Sequence, residues 1–177
     1  MPFAGARHPK VVAGAPAGAE WVDVGGDDHG YWRLMLDIWD QGADTLIVEH
    51  DVVCRPDVID QLEECPEPWC AFRYTDFCHP ACQEAWANML GCTRFRAELI
   101  RATRDAVSSI PGPLRDWHNL CDHLAGDKTN GVPTPLRVGS VRAAGFSHHW
   151  HEPPVEHLTR NVDPDFWYGP GGRYAQR

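Results

Sequence analysis

Residues 45–51 of the chain read Thr-Leu-Ile-Val-Glu-His-Asp. The first four are β-branched or aliphatic, and an uninterrupted run of this kind predicts a central strand that is buried on both faces. The run stops abruptly at Glu49, His50 and Asp51. Two carboxylates at positions i and i+2 repel each other, and removing them from water costs free energy unless a cation compensates. The pattern therefore favours a site for Mn²⁺ or Mg²⁺, with a solvated loop as the alternative.

Strands and helices alternate on both sides of this run. Apolar spacing, helix-capping residues and β-branched runs predict four helices and several strands. The helices are expected at residues 30–41, 56–64, 97–108 and 116–125, and the strands at residues 10–16, 45–48, 69–74, 92–95 and 137–141. Such alternation predicts an α/β domain with a mostly parallel sheet. Ligands of parallel sheets gather at the carboxyl ends of the strands, which is where residues 49–51 would lie.

The composition limits the classes of partner. The chain has 177 residues, which is enough for one domain, and a formal net charge of −9. This acidity disfavours tight, non-specific nucleic-acid binding, because phosphate contacts need clustered Lys and Arg. An anionic ligand remains compatible with it when a divalent cation supplies positive charge. We expect a catalytic domain over residues 1–155 and an irregular tail over residues 156–177.

Two observations predict a cytoplasmic location. No apolar run approaches the roughly 20 residues needed to span a bilayer. The first ten residues lack the apolar segment of a secretory signal. Seven cysteines in a cytosolic chain should then be thiols or metal ligands rather than disulfides.

Several motifs, taken in order, resemble those of the GT-A glycosyltransferases, which use nucleotide-diphospho-sugars. The apolar strand ends in a Glu-x-Asp motif at residues 46–51, and a helix of the form x-Pro-x-x-Ile follows at residues 55–59. A Gly-x-x-x-Phe-Arg segment lies at residues 91–100, and an acidic helix start follows at Asp116. Histidines follow the last predicted strand at His148, His149 and His151. The resemblance covers residues 10–152.

The resemblance implies a GT-A-like fold and an inverting, metal-dependent hexosyltransferase. Asp51 would hold Mn²⁺ or Mg²⁺, with Glu49 assisting through water. His149, and after it His151, would complete the metal site, and an imidazole ligand favours Mn²⁺ over Mg²⁺. Asp116 would be the catalytic base for an acceptor hydroxyl. The acceptor could be a glycan, a protein or a modified nucleobase, and no membrane partner is expected.

The donor nucleotide is expected near a further group of residues, partly from the first predicted strand. These residues are Ala13, Ala15, Asp23, Arg33, Glu49 and His50. Arg33 could face the phosphates of the donor, or it could equally be a surface residue of its helix.

Two other functions fit parts of the sequence. The histidines at residues 148–151 could form a metal-dependent hydrolase site with Asp51 and a metal-activated water. Alternatively, the chain could be a zinc-stabilised binding domain without catalytic activity. Its ligands would be the cysteines and the histidine of one short stretch, namely Cys65, Cys70, Cys78, Cys82 and His79. Buried thiols that act as small apolar side chains would explain the same cysteines.

Overall fold

The computed structural model of the chain describes residues 1–26, 29–74, 91–108 and 148–158. Within these ranges it has four helices and seven strands. The helices are α1 (Pro9–Gly14), α2 (Gly30–Gln41), α3 (Pro56–Glu64) and α4 (Ala97–Ser108). The strands are β1 (Pro2–Phe3), β2 (Val22–Asp23), β3 (Thr45–Val48), β4 (Val52–Val53), β5 (Trp69–Tyr74), β6 (Cys92–Phe95) and β7 (His148–His157).

Three of the predicted helices are confirmed with their predicted bounds, because their apolar positions recur at helical spacing. In α2 the residues Trp32, Met35, Ile38 and Trp39 are all buried. Gly42 ends this helix in the left-handed conformation at φ 66°, and its N–H donates to the Ile38 carbonyl. The predicted helix at residues 116–125 and the predicted strand at residues 137–141 lie outside the described residues.

The predicted strand at residues 10–16 is wrong. The structure has α1 there, beginning at Pro9, whose fixed φ suits the first turn of a helix. The His8 Nδ1 atom accepts a hydrogen bond from the Lys10 N–H at 3.1 Å and so caps the helix. Val11 is the buried residue of this helix, while Val12 is 48% exposed. The apolar composition of the segment is therefore not a strand signal.

The predicted sheet of mostly parallel strands is also wrong, and with it the GT-A-like, Rossmann-like fold that the resemblance implies. The main sheet has the order β3-β6-β5-β7-β4, and only the β5–β7 pair is parallel. The other three pairs, β3–β6, β5–β6 and β4–β7, are antiparallel. The strand β6 accounts for two of these pairs, because it lies between β3 and β5 and runs against both, and β4 accounts for the third because it runs against β7. A separate two-stranded parallel sheet is formed by β1 and β2.

Both faces of the main sheet are covered. Side chains of successive strand residues point to opposite faces, and Ile47 and Val48 accordingly enter two different apolar cores. The first core joins β3, β5 and β6 to α2 and α4. The second core joins the same strands to α3 and β7. The strand β3 is thus buried on both faces, as predicted, although it is the terminal strand of the described order rather than a central one.

The main sheet curves where β3 ends. Its two outermost described strands, β3 and β4, are separated by only three residues of the chain. In a flat sheet the first and fifth strands are about 19 Å apart. The four peptide units from Val48 to Val52 reach at most about 14 Å. The curvature brings the end of β7 towards the turn that follows β3.

The helices in the described part of the chain lack the length and apolar character needed to cross a bilayer.

Candidate functional site

The turn at residues 49–51, here called the acidic turn, is held by the backbone at both ends. The Glu49 N–H donates to the Gly91 carbonyl at 2.8 Å, and the Val52 N–H donates to the Glu49 carbonyl at 3.2 Å. The Leu158 N–H donates to the Asp51 carbonyl at 2.8 Å. These contacts tie the turn to the start of β6 and to the end of β7. The two acids are therefore presented from a fixed backbone.

Asp51 is buried in this turn and contacts His157. The Nε2 atom of His157 lies 3.3 Å from the Oδ2 atom of Asp51, and Asp51 is only 7% exposed. The second oxygen, Oδ1, is also buried and has no hydrogen-bond partner among the described residues. Burial alone would raise the pKa of Asp51. The hydrogen bond and charge of His157, together with the charge of His50, outweigh burial and hold that pKa below its ordinary value.

His157 reaches Asp51 because β7 continues past two prolines. In β7, His157 pairs with Val52 of β4, directly after the acidic turn. A bulge between the registers Phe72↔His151 and Tyr74↔Val155 adds two residues to β7. The guanidinium of Arg55 donates to the Pro154 carbonyl at 2.8 Å and so braces the bulge. The residues that follow the bulge are thereby set in register with β4.

The ring of Tyr74 fixes the orientation of the His157 imidazole. Their ring centroids are 4.4 Å apart, and the rings are inclined by 31°. Tyr74 itself is only 2% exposed. A Cβ atom on Gly91 would lie 1.5 Å from the Tyr74 hydroxyl and 3.1 Å from the Oε2 atom of Glu49. Glycine at this position therefore leaves room for the phenol beside the Glu49 carboxylate.

The sequence did not single out His157, because residues 156–177 were expected to form an irregular tail. The structure shows that strand pairing continues to His157. One signal could have identified this residue: Val155 and His157 are two positions apart, so they share one face if the strand continues past the prolines. The Pro153-Pro154 pair does not end the strand, because in this sheet it belongs to a bulge.

The histidines that the sequence predicted as metal ligands lie at a second place. A ring nitrogen of His151 lies within 4.8 Å of the sulfur atoms of Cys65 and Cys70, which are likewise within 4.8 Å of each other. His149 joins this group, with its Nδ1 atom 3.6 Å from the Cys65 sulfur. These four residues form what we call the thiol–imidazole cluster. The backbone of His148 belongs to β7 and pairs with Trp69.

Burial shifts the pKa values of two members of the thiol–imidazole cluster, Cys70 and His151. Burial, and after it the neighbouring Cys65 thiol, raises the pKa of Cys70 to about 12. Burial and the charge of His149 lower the pKa of His151. Without a cation, the cluster therefore favours a neutral thiol at Cys70 and a neutral imidazole at His151.

The other predicted site residues are exposed or have a local structural role, and α1 itself lies against Cys54, just after β4. Ala13 is exposed in α1, and the Ala15 N–H ends that helix by donating to the Val12 carbonyl. The Asp23 carboxylate accepts a hydrogen bond from the Gly25 N–H at 2.8 Å in the small sheet. Arg33 is exposed on α2, which packs on the first core, whereas Val52 and Tyr74 belong to the second.

Among the remaining predicted site residues, His50 is buried in the acidic turn beside Asp51, and Glu49 is half-buried there. The predicted base, Asp116, lies outside the described residues, as do Cys78, His79 and Cys82.

Comparison of the chain with protein-family models, with curated proteins and with solved structures found no match.

The acidic turn and His157 offer candidate ligand atoms for a divalent cation. Two ligands in neighbouring positions of an octahedral Mg²⁺ site, each about 2.1 Å from the ion, lie about 3.0 Å apart. The observed Asp51–His157 separation of 3.3 Å is close to that value. The buried Oδ1 atom of Asp51 offers a further acceptor. Asp51 and His157 can therefore supply two ligands to Mn²⁺ or Mg²⁺ once the His157 Nε2 atom has lost its proton, whereas the group of three close ligand atoms among the described residues is Cys65, Cys70 and His151.

Proposed function

We propose that this chain is a metal-dependent glycosyltransferase that uses a nucleotide-diphospho-sugar donor, with Asp51 and His157 as the metal ligands. The buried Asp51–His157 pair, with a second carboxylate oxygen that has no partner among the described residues, is the observation that carries the proposal. The ordered motifs from the Glu-x-Asp turn to the histidine-rich strand support the choice of donor.

A divalent ion is needed on electrostatic grounds. The chain has a net charge of −9, and Glu49 and Asp51 add local negative charge where a diphosphate would bind. When bound, the ion would neutralise the charge that develops on the diphosphate leaving group. Imidazole as one ligand favours Mn²⁺ over Mg²⁺.

Neighbouring groups of the protein hold the proposed metal ligands in position before the ion binds. The backbone contacts of the acidic turn hold the Asp51 carboxylate at the curved end of the sheet. The Tyr74 ring orients the His157 imidazole, and the pairing of β7 with β4 fixes the position of His157 along the strand. Such pre-organisation reduces the rearrangement that ligand binding requires. Asp116 remains the predicted base for the acceptor hydroxyl.

Calorimetric titration of uridine and guanosine diphosphates, with and without Mn²⁺, tests the proposal. The wild-type chain should bind one of them, and Mn²⁺ should strengthen that binding. Asp51→Asn keeps the shape of the side chain but removes its charge. We expect the variant to bind the nucleotide in the presence of Mn²⁺ more than about 100-fold more weakly, a larger loss than the removal of an outer-shell partner causes. The matched control is Asp40→Asn, which removes an exposed carboxylate paired with Arg104 on the far helices.

Equal Mn²⁺-dependent binding by Asp51→Asn and Asp40→Asn would refute the assignment of the site. Binding without Mn²⁺ dependence in the wild type would refute the metal-dependent mechanism. Asp116→Asn should keep nucleotide binding and lose sugar transfer. Release of free sugar at the same rate with and without every acceptor class would instead favour the metal-dependent hydrolase.

A further inference from the structure

The thiol–imidazole cluster unites side chains from three elements of the fold. Cys65 caps the end of α3, Cys70 lies in β5, and His149 and His151 lie in β7. We propose that this cluster binds a structural Zn²⁺ ion. The proposal does not depend on glycosyltransferase activity, since it involves no residue of the acidic turn.

The types and spacing of the ligands are those of structural zinc sites. Two thiolates and two imidazoles form one of the common four-coordinate ligand sets for Zn²⁺. Four residues separate Cys65 from Cys70, at the upper limit of the usual spacing of paired cysteines. The histidines stand at alternate positions of one strand, so both face the same side of the sheet.

The distances within the cluster are close to those that a tetrahedral ion requires. With Zn–S near 2.3 Å and Zn–N near 2.0–2.1 Å, a sulfur and a nitrogen ligand lie about 3.6 Å apart. The Cys65 Sγ–His149 Nδ1 distance is 3.6 Å. The ligand atoms of Cys65, Cys70 and His151 all lie within 4.8 Å of one another. His149 lies outside this group of three, so its imidazole must move towards Cys70 and His151 to complete the tetrahedron.

Neighbouring rings hold the His151 imidazole in place. Phe72 stacks on this ring with centroids 5.1 Å apart, and His149 stacks on it with centroids 4.5 Å apart. The Nε2 atom of His151 is buried and has no hydrogen-bond partner in the described part of the chain. A metal ion would satisfy such a nitrogen. His149 is exposed and gives the ion a route from solvent.

Two arginines brace the backbone that carries Cys65. Arg94 is buried and donates to the Leu62 carbonyl at 2.8 Å and to the Cys65 carbonyl at 3.1 Å. Arg96 donates to the same Cys65 carbonyl at 2.7 Å. The loop that presents the first sulfur is therefore fixed before an ion arrives. Outer-shell contacts of this kind orient metal ligands and raise metal affinity.

Zinc binding to the cluster requires no oxidant or reductant. Each thiol loses its proton as its sulfur coordinates the ion, so one Zn²⁺ ion displaces two protons. Two thiolates and one Zn²⁺ ion together carry no net charge, which suits a cluster whose two sulfurs are buried. The ion would fasten β7 to β5 and to the end of α3, and β7 also carries His157.

Metal analysis and cobalt spectroscopy of the full chain test the proposal. Protein from zinc-supplemented medium, dialysed without chelator, should retain stoichiometric zinc. After chelator treatment, Co²⁺ should give the visible d–d bands of a tetrahedral site and a sulfur-to-metal charge-transfer band. Cys70→Ser and His149→Ala should each weaken Co²⁺ binding by more than about 100-fold. Cys54→Ser, which alters a buried thiol outside the cluster, is the matched control.

The His149→Ala variant tests the ligand set even if Cys70→Ser does not fold, because His149 is exposed. A wild-type chain that binds neither zinc nor Co²⁺ stoichiometrically would overturn the proposal. Unchanged Co²⁺ spectra in His149→Ala would overturn the ligand set. Loss of the bands in a Cys78→Ser/Cys82→Ser double variant, with retention in Cys70→Ser, would assign the metal to the other cysteines.

Discussion

Gly91 precedes β6 and packs against the phenol that orients His157. A Cβ atom added here would lie 1.5 Å from the Tyr74 Oη and 2.6 Å from its Cζ, whereas ordinary contacts begin near 3.4 Å. Tyr74 is 2% exposed, so its ring has no open space to enter. Gly91→Ala should therefore displace the ring by about 2 Å or shift the backbone.

The expected loss of stability is large for a change of one methyl group. Overpacking of a core costs about 1–3 kcal/mol, and the depth of this overlap places Gly91→Ala near 3 kcal/mol. For a chain of this size, each kcal/mol lowers the melting temperature by about 2–4 °C, so a decrease of about 6–12 °C is expected. Thermal unfolding followed by circular dichroism measures it. Gly26→Ala is the control, because nothing lies within 4 Å of its added Cβ.

A double-mutant cycle identifies the source of the effect. Tyr74→Phe removes the Oη atom but leaves the Cζ atom at 2.6 Å, so it should relieve only part of the strain of Gly91→Ala. We expect a favourable coupling energy of about 1 kcal/mol between the two changes. Strictly additive effects, or a Gly91→Ala variant as stable as the Gly26→Ala control, would show that the phenol is not packed against Gly91. The orientation of His157 by a tightly packed Tyr74 ring would then be contradicted.

Three further changes test the packing and the electrostatics of the fold. Leu62→Ala empties a fully buried position in the second core and should cost about 3 kcal/mol in a urea titration; a cost below 1 kcal/mol would contradict the packing of α3 on the sheet. Thr103→Val keeps the side-chain shape but removes the hydroxyl that accepts the Trp39 indole N–H at 3.0 Å, and should cost about 1–3 kcal/mol; a neutral result would contradict that hydrogen bond. The pKa of the Asp44 carboxyl lies below its ordinary value of 3.8, first because the carboxylate accepts a hydrogen bond from the Ala97 N–H and then because arginines lie nearby. The ionised carboxylate therefore stabilises the fold at pH values above 3.8. Asp44→Asn should cost about 1 kcal/mol at pH 7, and the difference from wild type should disappear as the pH falls through the lowered pKa; a difference that persists would contradict the assignment.

Local patterns in the sequence predicted most of the described elements. Helices α2, α3 and α4 have the predicted bounds because their buried residues recur at helical spacing, and strand β3 does because it is a continuous β-branched and aliphatic run. The segment from Pro9 to Gly14 lacks apolar residues at helical spacing. Its helix is set by a proline and a histidine cap, and valines alone suggested a strand.

Strand direction and long-range pairing could not be predicted in the same way. An apolar run such as residues 92–95 has the same composition whether it runs with or against its neighbours, so the antiparallel placement of β6 left no local signal. The contact between Asp51 and His157 joins residues far apart in sequence and depends on a bulge at two prolines. The sequence pointed to Asp51 but not to His157, which contacts it, and named His149 and His151 as the candidate ligands.

The position of a bound manganese ion tests the assignment of Asp51 and His157 as metal ligands. Crystals soaked with Mn²⁺ and the nucleoside diphosphate that binds should be measured near the manganese absorption edge. An anomalous peak is expected within about 2.3 Å of both the Asp51 carboxylate and the His157 Nε2 atom. A peak beside His149 and His151 with none at Asp51, or no peak in crystals that show the nucleotide, would contradict that assignment.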